Sequence, residues 1–255
     1  MIHFVGAGPG AEDLITLRGA KLLEKADCII YAGSLVNPKH LLRAREGCAI
    51  YNSATMTLEE VLAVMEEQEA MHHTTVRLHT GDPSMYGAIR EQMDALDEKG
   101  ISYDVTPGVS SVFGAAATLN AEFTLPGISQ TLILTRMAGR TPVPEKEALE
   151  KLAAHGSSMA IFLSAGLLKE VEEALCKGAF TKDSPAAIVY KATWPEEKTV
   201  YCTVGTLAET AEREGIKATA LIFVGDFLTE TPERSKLYDP TFATGFRPAK
   251  GDTQS

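Results

Sequence analysis

Through the first 119 residues, short aliphatic runs alternate with segments of helical periodicity. Strand-like stretches at 2–5, 27–31, 48–51, 74–79 and 102–105 enclose helical ones at 16–25, 57–70 and 85–98, and a small-residue helix follows at 109–119. This order points to parallel strands with crossover helices, because a parallel pair cannot be closed by a tight turn. Thr57 followed by Glu60 is a capping box, and Val61, Val64 and Met65 then recur at core spacing. "NAEFTLPGIS" at 120–129 breaks the rhythm and reads as a linker. A second alternation follows, with strands at 130–135, 158–163, 186–191, 198–203 and 218–224 and helices at 145–154, 166–176 and 205–214. "WPEEK" is too short for a crossover helix, so the strands on either side form an antiparallel hairpin and this sheet is mixed. The reading is α/β in two domains, 1–119 with a mostly parallel sheet and 120–228 with a mixed one. The tail at 229–255 loses periodicity and is expected to lie on a surface or stay partly disordered.

Composition narrows the function classes. The 255 residues are 45% apolar, enough for two modest cores. Lys and Arg number 24 against 34 Asp and Glu, and the net charge of −10 is scattered, so a nucleic-acid backbone is repelled on average while a local basic pocket stays open. No stretch approaches the roughly 18 apolar residues of a membrane span, and the N-terminus enters a strand without a basic leader, so no membrane partner and a cytoplasmic location are expected. Cys28, Cys48, Cys176 and Cys202 form no C-x-x-C pair, and His3, His40, His72, His73, His79 and His155 show no metal-ligand spacing, so no protein metal site is expected.

The loop "GAGPGA" at 6–11 matches the dinucleotide fingerprint in form, with Gly6, Gly8 and Ala11 after an apolar strand. Two features oppose that use. Pro9 and Gly10 prolong the turn, Glu12 and Asp13 place carboxylates where phosphate would sit, and the better N-cap is Thr16, ahead of "LRGAKLLEKA". The second strand also ends in "IIYAGS", with Tyr31 where an acidic ribose partner belongs. A dehydrogenase and a non-catalytic nucleotide-sensing module remain the alternatives from other classes.

The loop, "RLHTGDPSMYG" at 77–87 and "VTPGVSS" at 105–111 follow the first, fourth and fifth strands and should cluster at one sheet edge. In these three motifs the chain resembles the tetrapyrrole (corrin/porphyrin) methylase family of S-adenosylmethionine-dependent enzymes. "TRMAGRTPVPE" at 135–145 and "RSKLYDPTFATGFRP" at 234–248 look like the branch that methylates C11 of precorrin-4 or cobalt-precorrin-4 in cobalamin synthesis. Another ring position or substrate is the runner-up. The resemblance implies a homodimer, a corrinoid substrate that brings any cobalt with it, and a folded cofactor held between the domains, with S-adenosylhomocysteine as product.

The resemblance implies that Pro9, Thr80, Gly81, Asp82, Met85, Ser110 and Ser111 lie near that cofactor. From "FLSAG", "KAT" and "ATAL" it implies Leu163, Ser164, Ala192, Thr219, Ala220 and Leu221 in the second domain. Methyl transfer from a sulfonium is an in-line displacement that needs positioning and no nucleophilic side chain. Asp82 is the one candidate for a direct part in it, since its carboxylate can accept cofactor hydrogen bonds or favour the sulfonium electrostatically. The competing reading is an Asx-turn before Pro83 that caps a helix starting near Ser84. Ser110 and Ser111 can equally be helix caps, and Met85 a core residue. Arg136 and Arg140 flank a Gly-containing loop and carry the donor fork that recognises carboxylates, with solvated loop arginines as the alternative. Tyr31 opens onto the same edge and either touches substrate or packs.

Overall fold

The computed structural model describes residues 1–250. Its first sheet takes β1 Ile2–Gly6, β2 Cys28–Tyr31, β3 Ala49–Asn52, β4 Thr75–His79 and β5 Tyr103–Thr106 in the order β3-β2-β4-β1-β5. Every pairing is parallel, with Ile2 opposite both Thr75 and Tyr103. Helices α1 Leu17–Lys25, α2 Leu58–Ala70 and α3 Arg90–Glu98 belong to the crossovers, and α4 Ser111–Leu119 follows the last strand. Side chains of successive residues alternate across the sheet. Val5, Ile29, Val76 and Leu78 pack with Leu23 of α1 on one face, and Ile2, Phe4, Cys28 and Ile30 pack with Val61, Leu62 and Met65 of α2 and Leu96 of α3 on the other. Covered on both faces, β4 is buried along its whole length, Arg77 and His79 included.

Thr16 caps α1 by accepting from the Gly19 N–H at 3.1 Å. Thr57 and Glu60 form the capping box of α2, with the two bonds at 3.3 and 2.8 Å. The expected helix at 85–98 begins only at Arg90. Tyr86 and Ala88 hold φ of 56° and 49°, in the left-handed region that helices do not use, and a side chain on Gly87 would run into the Pro83 carbonyl. Between β2 and β3 the crossover is the 3-10 segment Pro38–Arg43, which the sequence reading did not mark.

The second sheet takes β6 Leu132–Arg136, β7 Ser158–Phe162, β8 Pro185–Tyr190, β9 Lys198–Thr203 and β10 Ala220–Val224 in the order β6-β7-β10-β8-β9. β6 and β7 are parallel and the other pairings antiparallel, so the sheet is mixed and β8 and β9 form the expected hairpin. Helices α5 Leu149–Ala153, α6 Leu168–Lys177 and α7 Leu207–Arg213 share one core with β7, β8 and β10. The helix expected at 145–154 is a 3-10 turn followed by α5, because Ala148 between them is extended, with ψ of 138°. The presumed linker carries a core residue: Phe123 stacks on Phe223 at 5.8 Å, and its carbonyl accepts from Ser158 Oγ at 2.8 Å.

By their contacts, Met1–Thr118 and Lys191–Glu197 form one compact unit, and Leu119–Tyr190 with the chain from Lys198 onward forms the other. Of the tail at 229–255, residues 251–255 lie outside the described residues. The rest folds locally around Arg247, whose guanidinium donates to the carbonyls of Leu237, Asp239 and Phe242.

Candidate active site

The loops leaving β1, β4 and β5 meet backbone to backbone. A side chain on Gly6 would lie 2.6 Å from the Gly108 backbone and the Gly81 carbonyl, and one on Gly108 would strike that same carbonyl. Gly8 and Gly81, at φ of 83° and 61°, exchange a pair of backbone bonds, Gly8 N to Gly81 O at 3.2 Å and Gly81 N to Gly8 O at 2.9 Å. The glycines therefore let three strand ends touch. The fingerprint's amides point inward as well: Gly8 N–H is held by Gly81, and Ala11 N–H donates to Thr193 Oγ1 at 3.0 Å. A pyrophosphate needs those donors free.

Asp82 joins two of the loops. Its Oδ1 accepts from the Ser84 N–H at 2.9 Å and from the Ser84 hydroxyl, and its Oδ2 accepts from the Gly108 N–H at 2.9 Å. Burial raises the Asp82 carboxyl, but these hydrogen bonds outweigh it and hold the group below its ordinary value, so it is ionised at neutral pH. The Asx-turn to Ser84 is present. The helix it was to cap is not, because the chain turns through left-handed residues before α3.

Around this junction the first unit gathers most of the expected residues. Pro9 is buried, and Thr80 Oγ1 is buried without a hydrogen-bond partner. Met85 donates its N–H to the Asp82 carbonyl at 3.1 Å. The buried Ser110 stands just before α4, where its carbonyl accepts from the Phe113 and Gly114 amides, and Ser111 opens the helix. Ala192, expected from the second domain, is buried in the segment 191–197 that packs with the first unit. Tyr31 packs partly into the core beside α1.

In the second unit, Arg136 ends β6, Leu163 follows β7 and Ala220 starts the antiparallel β10, which puts them at one sheet edge. Leu163 holds φ of 52° and is 66% exposed, and Thr219 holds φ of 54° before the buried Ala220 and Leu221. Ser164 is fully engaged, donating to the Phe162 carbonyl at 2.7 Å and accepting from the Met137 N–H at 2.9 Å. The two arginines differ. Arg136 turns its fork onto its own loop, donating to the carbonyls of Met137, Thr141 and Pro142 at 3.3, 3.1 and 2.7 Å. Arg140, at the far side of that loop, is exposed.

Two groups escaped sequence reasoning. Arg77 is buried in β4 with neutral acceptors, Gln92 Oε1 at 3.1 Å and the Ile30 carbonyl at 3.2 Å, and burial pushes its guanidinium down to about 10. Beside it His79 is pushed by burial, then by the Arg77 charge, down to about 3, so it is neutral. Both stand in a strand read only for its apolar pattern. The other group is Thr193, Trp194 and Glu197, whose one available signal was an aromatic in a presumed turn.

Among the described residues no cluster of His, Cys, Asp and Glu could hold a metal ion, and no helix is long and apolar enough to cross a membrane. Comparison with known proteins gives the same direction as the three-loop junction. A cobalt-precorrin-4 C(11)-methyltransferase of Methanocaldococcus jannaschii is 51% identical, over 96% of this chain and 95% of that one. A precorrin-4 C(11)-methyltransferase of Pseudomonas aeruginosa is 41% identical, over 98% and 99%. A solved cobalt precorrin-4 methyltransferase superposes with a TM-score of 0.88 at 45% identity, covering 90% of this chain and 96% of its own. The model of the tetrapyrrole (corrin/porphyrin) methylases matches residues 1–208, which take in the glycine junction, Asp82, the β6 loop and the 191–197 segment, and the chain belongs to that family.

Proposed function

We propose that this protein transfers a methyl group from S-adenosylmethionine to C11 of precorrin-4 or cobalt-precorrin-4, a step of cobalamin synthesis. The observation that carries the reading is the junction of Gly6, Gly81 and Gly108 at the carboxyl edge of a parallel sheet, inside a chain whose full-length relatives bear that activity in their names. The donor set fits the cofactor: Thr80 Oγ1 is a buried hydroxyl lacking a partner, and Asp82 supplies an ionised carboxylate next to it.

The sulfonium supplies an activated methyl group, so the protein's work is placement. We assign Pro9, Thr80, Gly81, Asp82, Met85, Ser110, Ser111 and Ala192 of the first unit to the methyl donor; in the second unit Leu163, Ser164, Thr219, Ala220 and Leu221 are the candidates that the family resemblance implies. Asp82 fixes the loop after β4 to the one after β5 and keeps a negative charge beside a cationic ligand. Arg140 presents an exposed donor fork to the carboxylates of the corrinoid. Arg136 shapes the loop that carries it. We further assign the protein to the cytoplasm as a homodimer.

The test is the reaction itself. Purified protein, S-adenosylmethionine and either precorrin-4 or its cobalt form should give a product one methyl group heavier by mass spectrometry, with the new methyl at C11. Methylation at another ring carbon would move the protein to a different branch. Calorimetry that detects no binding of S-adenosylhomocysteine would overturn the reading.

A further inference from the structure

Trp194 is the chain's one tryptophan, and it lies in the connection between β8 and β9, where a hairpin needs no large apolar side chain. Its indole sits where a side chain on Gly10 would be, and its Nε1–H donates to the Pro9 carbonyl at 3.0 Å. The neighbouring Thr193 accepts the Ala11 N–H, and its methyl group packs where a side chain on Gly114 would come within 3.1 Å. Glu197 Oε2 in turn accepts the Thr193 N–H and, at 2.9 Å, the Thr118 hydroxyl near the end of α4. Lys191 and Thr193 hold φ of 46° and 67° on either side of the buried Ala192. Two left-handed sites separated by one residue, neither of them glycine, are strained, and only surrounding contacts keep such a backbone in place.

We propose that Trp194 and Glu197 are positioning residues that hold the loop Gly8–Ala11 and Ala192 in one fixed register. This rests on the assignment of Pro9 and Ala192 to the methyl donor. The indole fills the notch at Gly10 and Glu197 ties the segment to α4. Trp194 also turns the Pro9 carbonyl inward, and Thr193, which Glu197 holds, does the same for the Ala11 amide, so that the loop recognises its ligand by shape and leaves its fingerprint amides closed to phosphate. Affinity for the methyl donor then depends on two side chains that reach it through other groups.

The complementary fit of Gly10 and Trp194 allows a test by compensation. The full-length protein and its Trp194→Phe, Trp194→Ala, Gly10→Ala and Gly10→Ala/Trp194→Ala variants are titrated with S-adenosylhomocysteine in a calorimeter, and each is melted. Trp194→Phe keeps a ring on Gly10 and loses one hydrogen bond, so affinity should fall about fivefold. Trp194→Ala and Gly10→Ala should each lose about twentyfold or more, and the double variant should lose no more than Trp194→Ala, because the new methyl enters space the indole has left. Leu62→Ala on the core-facing side of α2 should lower the melting temperature and leave affinity within about twofold. Should Trp194→Ala fail to fold, Trp194→Phe and Glu197→Gln decide the matter. Variants that melt lower but bind normally, or losses at Gly10 and Trp194 that simply add, would overturn the proposal. A wild-type protein that binds no S-adenosylhomocysteine would instead overturn the assignment of the cofactor itself.

Discussion

Asp82 uses both carboxylate oxygens inside the protein, and that changes what its removal would mean. An alanine there leaves the Gly108 amide and Ser84 without an acceptor, so loss of stability and loss of ligand affinity should appear together. The arginines separate more cleanly. Arg140→Ala should weaken corrinoid binding by about 1.5–3 kcal/mol, the scale of a charged hydrogen bond, while S-adenosylhomocysteine affinity stays level and lysine restores part of the loss. Fluorescence titration of both ligands reads this, and unchanged corrinoid affinity would return Arg140 to the solvent. Arg136→Ala should instead loosen residues 137–142, since three carbonyls there each lose a hydrogen bond. Sequence placed both arginines on one loop, but not which of them the loop consumes.

His79 gives a prediction in pH. Its folded value near 3 lies below the ordinary 6.5, so between these limits the unfolded chain binds a proton that the native chain does not, and stability falls as pH falls through the window. His40, also lowered by burial and then by Arg43, acts in the same direction. Asp82, held below its ordinary 3.8, keeps its stabilising contribution across this window and loses it only as pH falls further. Chemical denaturation of His79→Gln between pH 4.5 and 6 should therefore show a slope shallower by up to about 1.4 kcal/mol per pH unit, and an unchanged slope would place the proton elsewhere.

At the scale of elements, the strands and the caps at Thr16 and Thr57 were readable because apolar period and hydroxyl position act locally. The start of α3 was not. Tyr86 and Ala88 take left-handed backbone in a stretch whose side chains suit a helix, and tertiary contacts overrode propensity there. That the three glycine motifs meet at one sheet edge was readable from the strand order, whereas their backbone-to-backbone contact belongs to the fold. That contact makes Gly108→Ala severe: its methyl meets a backbone carbonyl that no rotamer can move, and the cost should be about 3 kcal/mol or more in thermal or chemical denaturation. Gly47→Ala, at φ of 80° but with open space around it, should cost only about 1 kcal/mol. Equal losses at the two positions would mean that backbone conformation, and not the loop contact, sets the penalty.

For the whole molecule, a net charge of −10 opposes an anionic substrate at long range, but at physiological salt screening over about 8 Å leaves the outcome to nearby groups such as Arg140. The homodimer we assign should appear in light scattering as twice the 27.4 kDa chain mass, and a monomer mass at micromolar concentration would reject it. The sequence reading divided the chain into consecutive blocks, whereas Lys191–Glu197 packs with residues far ahead of it in the sequence. That has a consequence for synthesis. Met1–Thr118 leaves the ribosome well before the indole that fills its Gly10 notch has been made. At roughly 5–20 residues per second the interval is about 4–15 s, during which the nascent glycine loop stands open. The loop we assign to the methyl donor therefore reaches its final form only after most of the second sheet has been translated.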